Sequence, residues 1–289
     1  MTNRPVVLCV GRLYCDLIFT DLPRMPTMGT EIYAGGFGVH AGGGAFITAA
    51  HLAALGHVSA LSAMLPPQPF GQILSDDLEE AGIDLRLCGT QPAGDAPQVT
   101  VALAGKGDRA FVTRRSGPAF PPLEAGDLTG IGAAHVHIGE LATLIERPEI
   151  VRIARSAGAT ISLDCSWDDS LAAADIADAV ASVDLFLPND AEVAHLRDIG
   201  VPESRFPLTA IKQGPGGATA LVDGRQVHAP AQPVEVVDTT GAGDAFNAGF
   251  ISAWLAGGSV DACLRAGNLQ GAGAVAQRGG FHRPSVDAG

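Results

Sequence analysis

The groups best able to do chemistry are concentrated in Asp238-Thr239-Thr240-Gly241-Ala242-Gly243-Asp244-Ala245-Phe246. After the small residues Gly241, Ala242 and Gly243, apolar Phe246, Phe250, Ile251, Trp254 and Leu255 recur at helical spacing until Gly257-Gly258. An apolar segment, 234–237, precedes the turn and is expected to be a strand. Backbone N–H groups at such a helix start converge and carry partial positive charge, which suits a phosphate or a developing phosphoryl anion. Asp244 beside that anion hole would repel phosphate, so packing alone gives no reason for it. It makes sense as a general base taking a proton from an attacking hydroxyl. A bare G-x-G-D pattern reads more readily as an ordinary turn with a carboxylate in the first helical turn.

Other candidates carry weaker signals. Glu140 follows a strand-like segment, 135–138, and reads either as a ligand for substrate hydroxyls or as a solvated loop carboxylate. His135 and His137 share one face of that strand, and packed core histidines are favoured over a metal site. Arg109, Arg114 and Arg115 read as solvated surface residues, with closure of one over phosphates as the alternative. Gly36-Phe37-Gly38-Val39-His40-Ala41 fits G-x-G-x-x-A but lacks the strand-before, helix-after context of a dinucleotide site.

The elements that must position these groups alternate as βαβ units. Strand-like runs at Val6–Val10, 58–64, 135–138, 160–163, Leu185–Leu187 and 208–211 alternate with helical patterns. Helices are expected at 45–55, 147–157, 170–181, 190–198, 243–256 and 259–277. Segments 31–40 and 98–114 alternate like antiparallel strands, with hairpin punctuation at Gly105-Lys106-Gly107-Asp108, and would form a small sheet over the strand ends. The 289 residues are 47% hydrophobic and 17% charged, with a net charge of −13, which argues against disorder, nucleic acid and anionic membrane surfaces. The five scattered cysteines suit a reducing, cytoplasmic setting, and no apolar run approaches a membrane span.

The nine-residue string at 238–246 closely resembles the C-terminal signature of the ribokinase-like (PfkB) carbohydrate kinases, and further motifs follow in that family's order. Gly11 with Asp16 resembles its substrate-binding aspartate element, and Gly42-Gly43 before Ala49, Leu52, Leu55 and Gly56 its diglycine hinge. Asn189 and Glu192 match its N-x-x-E element, Lys212 with Gly214 and Gly217 its nucleotide-side strand end, and Asn268 a helix bordering adenine. The resemblance implies a single α/β domain: a three-layer αβα sandwich with a mainly parallel sheet and a small β-sheet lid from about 12–41 and 96–115. It implies ATP with Mg2+, the latter organised by Glu192 through water, and a sugar-like acceptor bound at Asp16, Gly42, Gly43, position 47 and Glu140. It also implies catalysis by Asp244 with the Gly241, Ala242 and Gly243 amides. A K+ site at Asp238, Thr240 and the carbonyls of Ala274, Gln277 and Gly279 is implied too, though Asp238 reads equally well as capping its own turn. Some relatives pair two lids into a homodimer, and others are monomers.

Three departures set this chain apart from the family pattern. Ile47 replaces an asparagine that contacts sugar hydroxyls, so a less polar acceptor pocket is expected and ribose is disfavoured. Cys165-Ser166-Trp167-Asp168 lacks the arginine that clamps a second anion. Pro66-Pro67-Gln68-Pro69 replaces a glycine-aspartate pair at the expected pocket rim. A nucleoside kinase of the same fold, or a silent nucleotide or sugar sensor, is the alternative function.

Overall fold

The structure, a computed structural model, describes residues 5–105, 108–166, 168, 170–201, 205–277 and 279–281. Val6–Val10 (β1) is an uninterrupted apolar run, as expected of a strand buried on both faces. After Tyr14–Leu22 (β2), Gly36–Gly42 (β3) and helix Gly44–Ala54 (α1), the chain returns as Ser59–Ser62 (β4), parallel to β1. Met64–Leu65 (β5) pairs with Gly89–Thr90 (β6), and Phe70–Ile73 (α2) and Ser75–Ala81 (α3) lie between them. Val99–Gly105 (β7) and Asp108–Arg114 (β8) form a hairpin, and Lys106 and Gly107 lie outside the described residues.

The second half continues the βαβ rhythm. Ala125–Ile131 (α4), Ala133–Ile138 (β9), Leu141–Glu146 (α5), Glu149–Ser156 (α6), Thr160–Asp164 (β10), Ala173–Ala181 (α7), Leu185–Leu187 (β11), Asp190–Asp198 (α8) and Leu208–Lys212 (β12) follow in turn. Ala218–Val222 (β13) and Arg225–Ala229 (β14) add an antiparallel edge, turned by Asp223-Gly224 with both residues at positive φ. Ala242–Leu255 (α9) and Val260–Val275 (α10) complete the fold. The main sheet runs β14-β13-β12-β11-β10-β9-β1-β4, and a four-stranded sheet runs β3-β2-β7-β8. One apolar core lies under α1, α3, α9 and α10, the other under α4 to α8, giving three layers.

Two strand expectations need correction. Segment 234–237 is not a strand: Val234, Val236 and Val237 are exposed, and Val237 N donates to the Val275 carbonyl at the end of α10. Its β-branched residues have no neighbouring strand to pair with. In the small sheet, β3 begins only at Gly36, while β2, which sequence patterning missed, lies parallel to β7 at its centre. The G-x-G-x-x-A stretch forms the body of strand β3, ahead of the turn at Gly43 that enters α1, and is not itself a glycine turn between strand and helix.

α9 and α10 approach closely because Gly267 lies under the buried Phe246 ring; a Cβ there would sit 2.6 Å from Cε2. Alanine gains about 1 kcal/mol of helix propensity, whereas overpacking a core costs ~1–3 kcal/mol. Gly267→Ala is therefore expected to lower the urea midpoint. A raised midpoint would show that the ring yields freely.

Candidate active site

The strand ends of the main sheet deliver polar side chains into one cleft of about 1500 Å³. Asp16, Gly43, Ile47, Glu140, Asn189, Glu192, Lys212, Gly214, Gly217, Thr240, Gly241, Ala242, Gly243, Asp244 and Asn268 all line it. Of the remaining expected site residues, Gly42, Asp238, Ala274, Gln277 and Gly279 do not line it. Cleft-facing Asp164 and Asp168, and buried Asn247, are functional candidates that sequence reasoning did not offer as ligands, and Arg115, whose closure over phosphates was only the alternative reading, lines the cleft too.

Three consecutive glycines shape the junction between the sheets. A Cβ on Gly42 would run into the Asp16 carboxylate, and one on Gly44 would lie 3.0 Å from Asp244 Oδ1. Gly43 between them, at φ 99°, passes close over the Arg12 carbonyl, a conformation that side chains disfavour. The run thus lets two carboxylates from different elements approach one backbone.

The floor is a buried polar cluster. Lys212 Nζ donates to Asp164 Oδ1 at 2.9 Å and to Asn247 Oδ1 at 3.2 Å, while Asn247 Nδ2 donates to Asp164 Oδ2 at 2.7 Å. Asn189 caps α8 by accepting from Glu192 N at 2.8 Å, and Glu192 Oε2 accepts from Asn189 N at 2.7 Å. Burial pushes the Glu192 carboxyl up, reinforced by Asp164 and opposed by Lys212. Burial likewise pushes Asp244 up to about 7, with Asp164 adding to the shift and Lys212 opposing it. Burial would lower Lys212, but Asp164 and Glu192 outweigh it and raise the ammonium.

Ion pairs occupy the far end of the cleft. Glu140 is buried and lies 3.6 Å from both Arg12 Nε and Arg115 Nη2, which rules out the solvated-loop reading. Arg12 also pairs with Glu146 and donates to Gln98 Oε1 at 2.6 Å. Arg115 keeps its surface exposure but also pairs with Asp168 and lines the cleft, so it is more than a solvated surface residue. Segment 165–168 lacks the arginine the resemblance implies, but Arg115, just beyond β8, reaches Asp168 from another element. Arg114, by contrast, is exposed and donates to the Pro97 carbonyl; the side chain of Arg109 and the whole of Trp167 lie outside the described residues.

The turn before α9 is held from behind. Asp238 Oδ1 accepts from Thr240 N and Oγ1 at 2.9 and 2.8 Å, and Oδ2 accepts from Gly279 N at 2.9 Å. Gly241, at φ 72°, lies against the Gly280 backbone, which in turn covers Ile47. Asn268 Nδ2 donates to the Ala229 and Pro230 carbonyls, tying the loop after β14 to α10. His135 and His137 both bond Ser162 Oγ at 2.8 Å, and His135 stacks edgewise on Trp254 at 5.5 Å, as packed core histidines do.

A family model, pfkB family carbohydrate kinase, matches residues 5–285. An ATP-dependent ribose-1-phosphate kinase from Halopiger xanaduensis is 32% identical, covering 98% of this chain and 96% of its own. A nucleoside kinase of Methanocaldococcus jannaschii, described as an archaeal member of the ribokinase family, superposes with a TM-score of 0.80 at 18% identity over 96% and 94% of the two chains. The ribokinase of Arabidopsis thaliana, solved with ribose and ATP, gives a TM-score of 0.75 at 22% identity over 96% and 94%. Fold and site together define a phosphotransferase with a hydroxyl acceptor. The chain belongs to the pfkB family of carbohydrate kinases, which carry out ATP-dependent phosphorylation of sugars and sugar-like molecules.

A carboxyl raised on folding makes the protein less stable as pH climbs. The stability contribution of Asp244 is complete below its unfolded value, ~3.9, and is lost as pH rises through about 7. Asp244→Asn is therefore expected to melt above the parent at pH 8, with the difference vanishing toward pH 4. Equal melting temperatures at pH 8 would place the carboxylate in a well-solvated setting.

Proposed function

We propose that this chain transfers the γ-phosphoryl group of ATP to a hydroxyl of a sugar-like acceptor held at the Asp16–Glu140–Arg115 end of the cleft, with Asp244 as general base. The observation that carries this reading is Asp244 itself: a carboxylate in the first turn of α9, lining the same cleft as Asp16 and Lys212. Asp244 takes the acceptor proton as the new O–P bond forms and the bond to the leaving ADP oxygen breaks. Amides of Gly241, Ala242 and Gly243 face the negative charge that develops on the transferring group.

The nucleotide end is read from Lys212, Gly214, Gly217, Asn189, Glu192 and Asn268. Among the described residues, no group of three or more His, Cys, Asp or Glu side chains could hold a metal ion. Mg2+ entering with ATP would be held by Glu192 through water and would supply neutralisation of phosphate charge. The donor set at Asp238 suits a K+ ion only as a neighbour of the Asp238–Gly279 tie, with the carbonyls of Ala274, Gln277 and Gly279 as further ligands. Arg115 supports a second reading of the acceptor: one with an anionic substituent could share this guanidinium with Asp168 and Glu140. The test is ADP formation with ribose, fructose, ribose 1-phosphate and nucleosides, each with Mg-ATP. Binding of ATP without turnover on any of them would favour a sensor.

Asp244→Asn is expected to keep its fold and lower turnover by about 10²–10⁴-fold, the usual worth of general-base assistance. Turnover above about a tenth of the parent's under saturation would remove Asp244 from that role. Assembly belongs to the same proposal. Phe111 faces the cleft, whereas Phe19, Leu103 and Phe37 line a groove on the small sheet, and Val112 is 66% exposed. Pairing two small sheets would bury that apolar surface. Light scattering at micromolar concentration is expected to give twice 29.4 kDa; a persistent monomer mass would exclude the paired form.

A further inference from the structure

The strand that leads into the glycine run is pinned from outside the cleft. Asp77 of α3 accepts from Ala41 N at 2.6 Å and lies 3.6 Å from His40 Nδ1. His40 is the direct cross-strand partner of Asp16, so the two side chains share a face of the small sheet. Asp16 lies against Gly42, lines the cleft and is the carboxylate on which the acceptor reading depends.

We propose that His40 and Asp77 are positioning residues for the phosphoryl acceptor. Asp77 favours the charged imidazole beside Asp16, and the pair favours the ionised form of the Asp16 carboxyl and fixes it where acceptor hydroxyls bind. The proposal rests on the acceptor reading of Asp16.

The electrostatics around each group agree in direction. Burial pushes Asp16 up to about 7, opposed by Thr100 of β7 and by His40 of β3. Asp244 of α9 interacts with Asp16 from across the cleft. The hydrogen bond to Asp77 raises His40 against the lowering effect of burial, and the charge of Asp16 adds to the rise. A neutral Asp16 would offer one donor and a weakened acceptor where two acceptor oxygens are needed. His40 offsets part of the rise that burial imposes on this carboxyl, and without that positive neighbour the rise would be larger still.

The test follows the Asp16 carboxyl by its ¹³C chemical shift against pH, assigned by comparison with Asp16→Asn, and so needs no acceptor. His40→Gln and Asp77→Asn are expected to raise the Asp16 midpoint by on the order of one pH unit, a tenfold change in the protonation equilibrium. His40→Lys, which stays charged, is expected to leave the midpoint near the parent's. In parallel, KM for the panel sugar that the parent turns over fastest should rise toward acid pH sooner in His40→Gln than in the parent. An unmoved midpoint in both neutral variants, or a shift as large in His40→Lys, would overturn the proposal. If the midpoints shift but Asp16→Asn leaves the acceptor KM unchanged, the acceptor reading of Asp16 fails, and the positioning role falls with it.

Discussion

One buried ammonium carries the charge balance on which the cleft floor depends. Lys212 ends β12, reaches across β11 to Asp164 at the end of β10, and meets Asn247 on α9. Asp164, Glu192 and Asp244 all act on it. Burial raises the Glu192 and Asp244 carboxyls, and the ammonium opposes that rise on both. Because Lys212 is itself fixed by two hydrogen bonds, it holds the floor rigid as well as charged. Hydrogen bonds to both Lys212 and Asp164 make Asn247 the joint between helix and sheet.

The small sheet is held by different forces. The chain first enters it at Arg12 and finally leaves it at Arg115, having crossed out after β3 and back before β7 in between, so the two arginines stand at the first and last crossings. Both lie near the same buried carboxylate, Glu140, at the end of β9. Arg12 is the better buried of the two, with further partners in Glu146, Gln98 and the Gly117 carbonyl. Arg115 keeps 35% of its side chain exposed and is the more open of these ties. The cleft thus has a floor held by hydrogen bonds among strand ends and a side held to it by ion pairs.

Much of this was legible in the sequence, and the exceptions have physical causes. The string at 238–246 located α9, Asp244 and the glycine turn because helix spacing and a Gly-rich start act locally. Buried parallel strands such as β1 and Leu185–Leu187 announced themselves as apolar runs. Segment 234–237 carries the same β-branched composition yet is extended surface chain, since a strand also needs a partner that composition does not reveal. β2 was overlooked because Asp16 and Thr20 interrupt its apolar residues, one of them to face the cleft. Sequence leaves Glu140 open between a ligand and a solvated loop carboxylate and favours solvation for Arg115, because charge pairing between distant segments leaves no periodic trace. Asp223-Gly224 is the counterexample: its hairpin signal was present and went unused.

The placement of β1 governs how the molecule comes into being. It lies inside the main sheet between β4 and β9, so its inner edge stays unpaired until a strand from far along the chain arrives. Closing so long a loop costs entropy before its contacts form, and topologies dominated by distant pairings fold slowly. The chemical groups follow the same pattern, since Asp16, Glu140, Asp164, Lys212 and Asp244 each come from a different part of the chain. No partly folded segment holds more than a fragment of the cleft, so binding competence and the completed sheet emerge together.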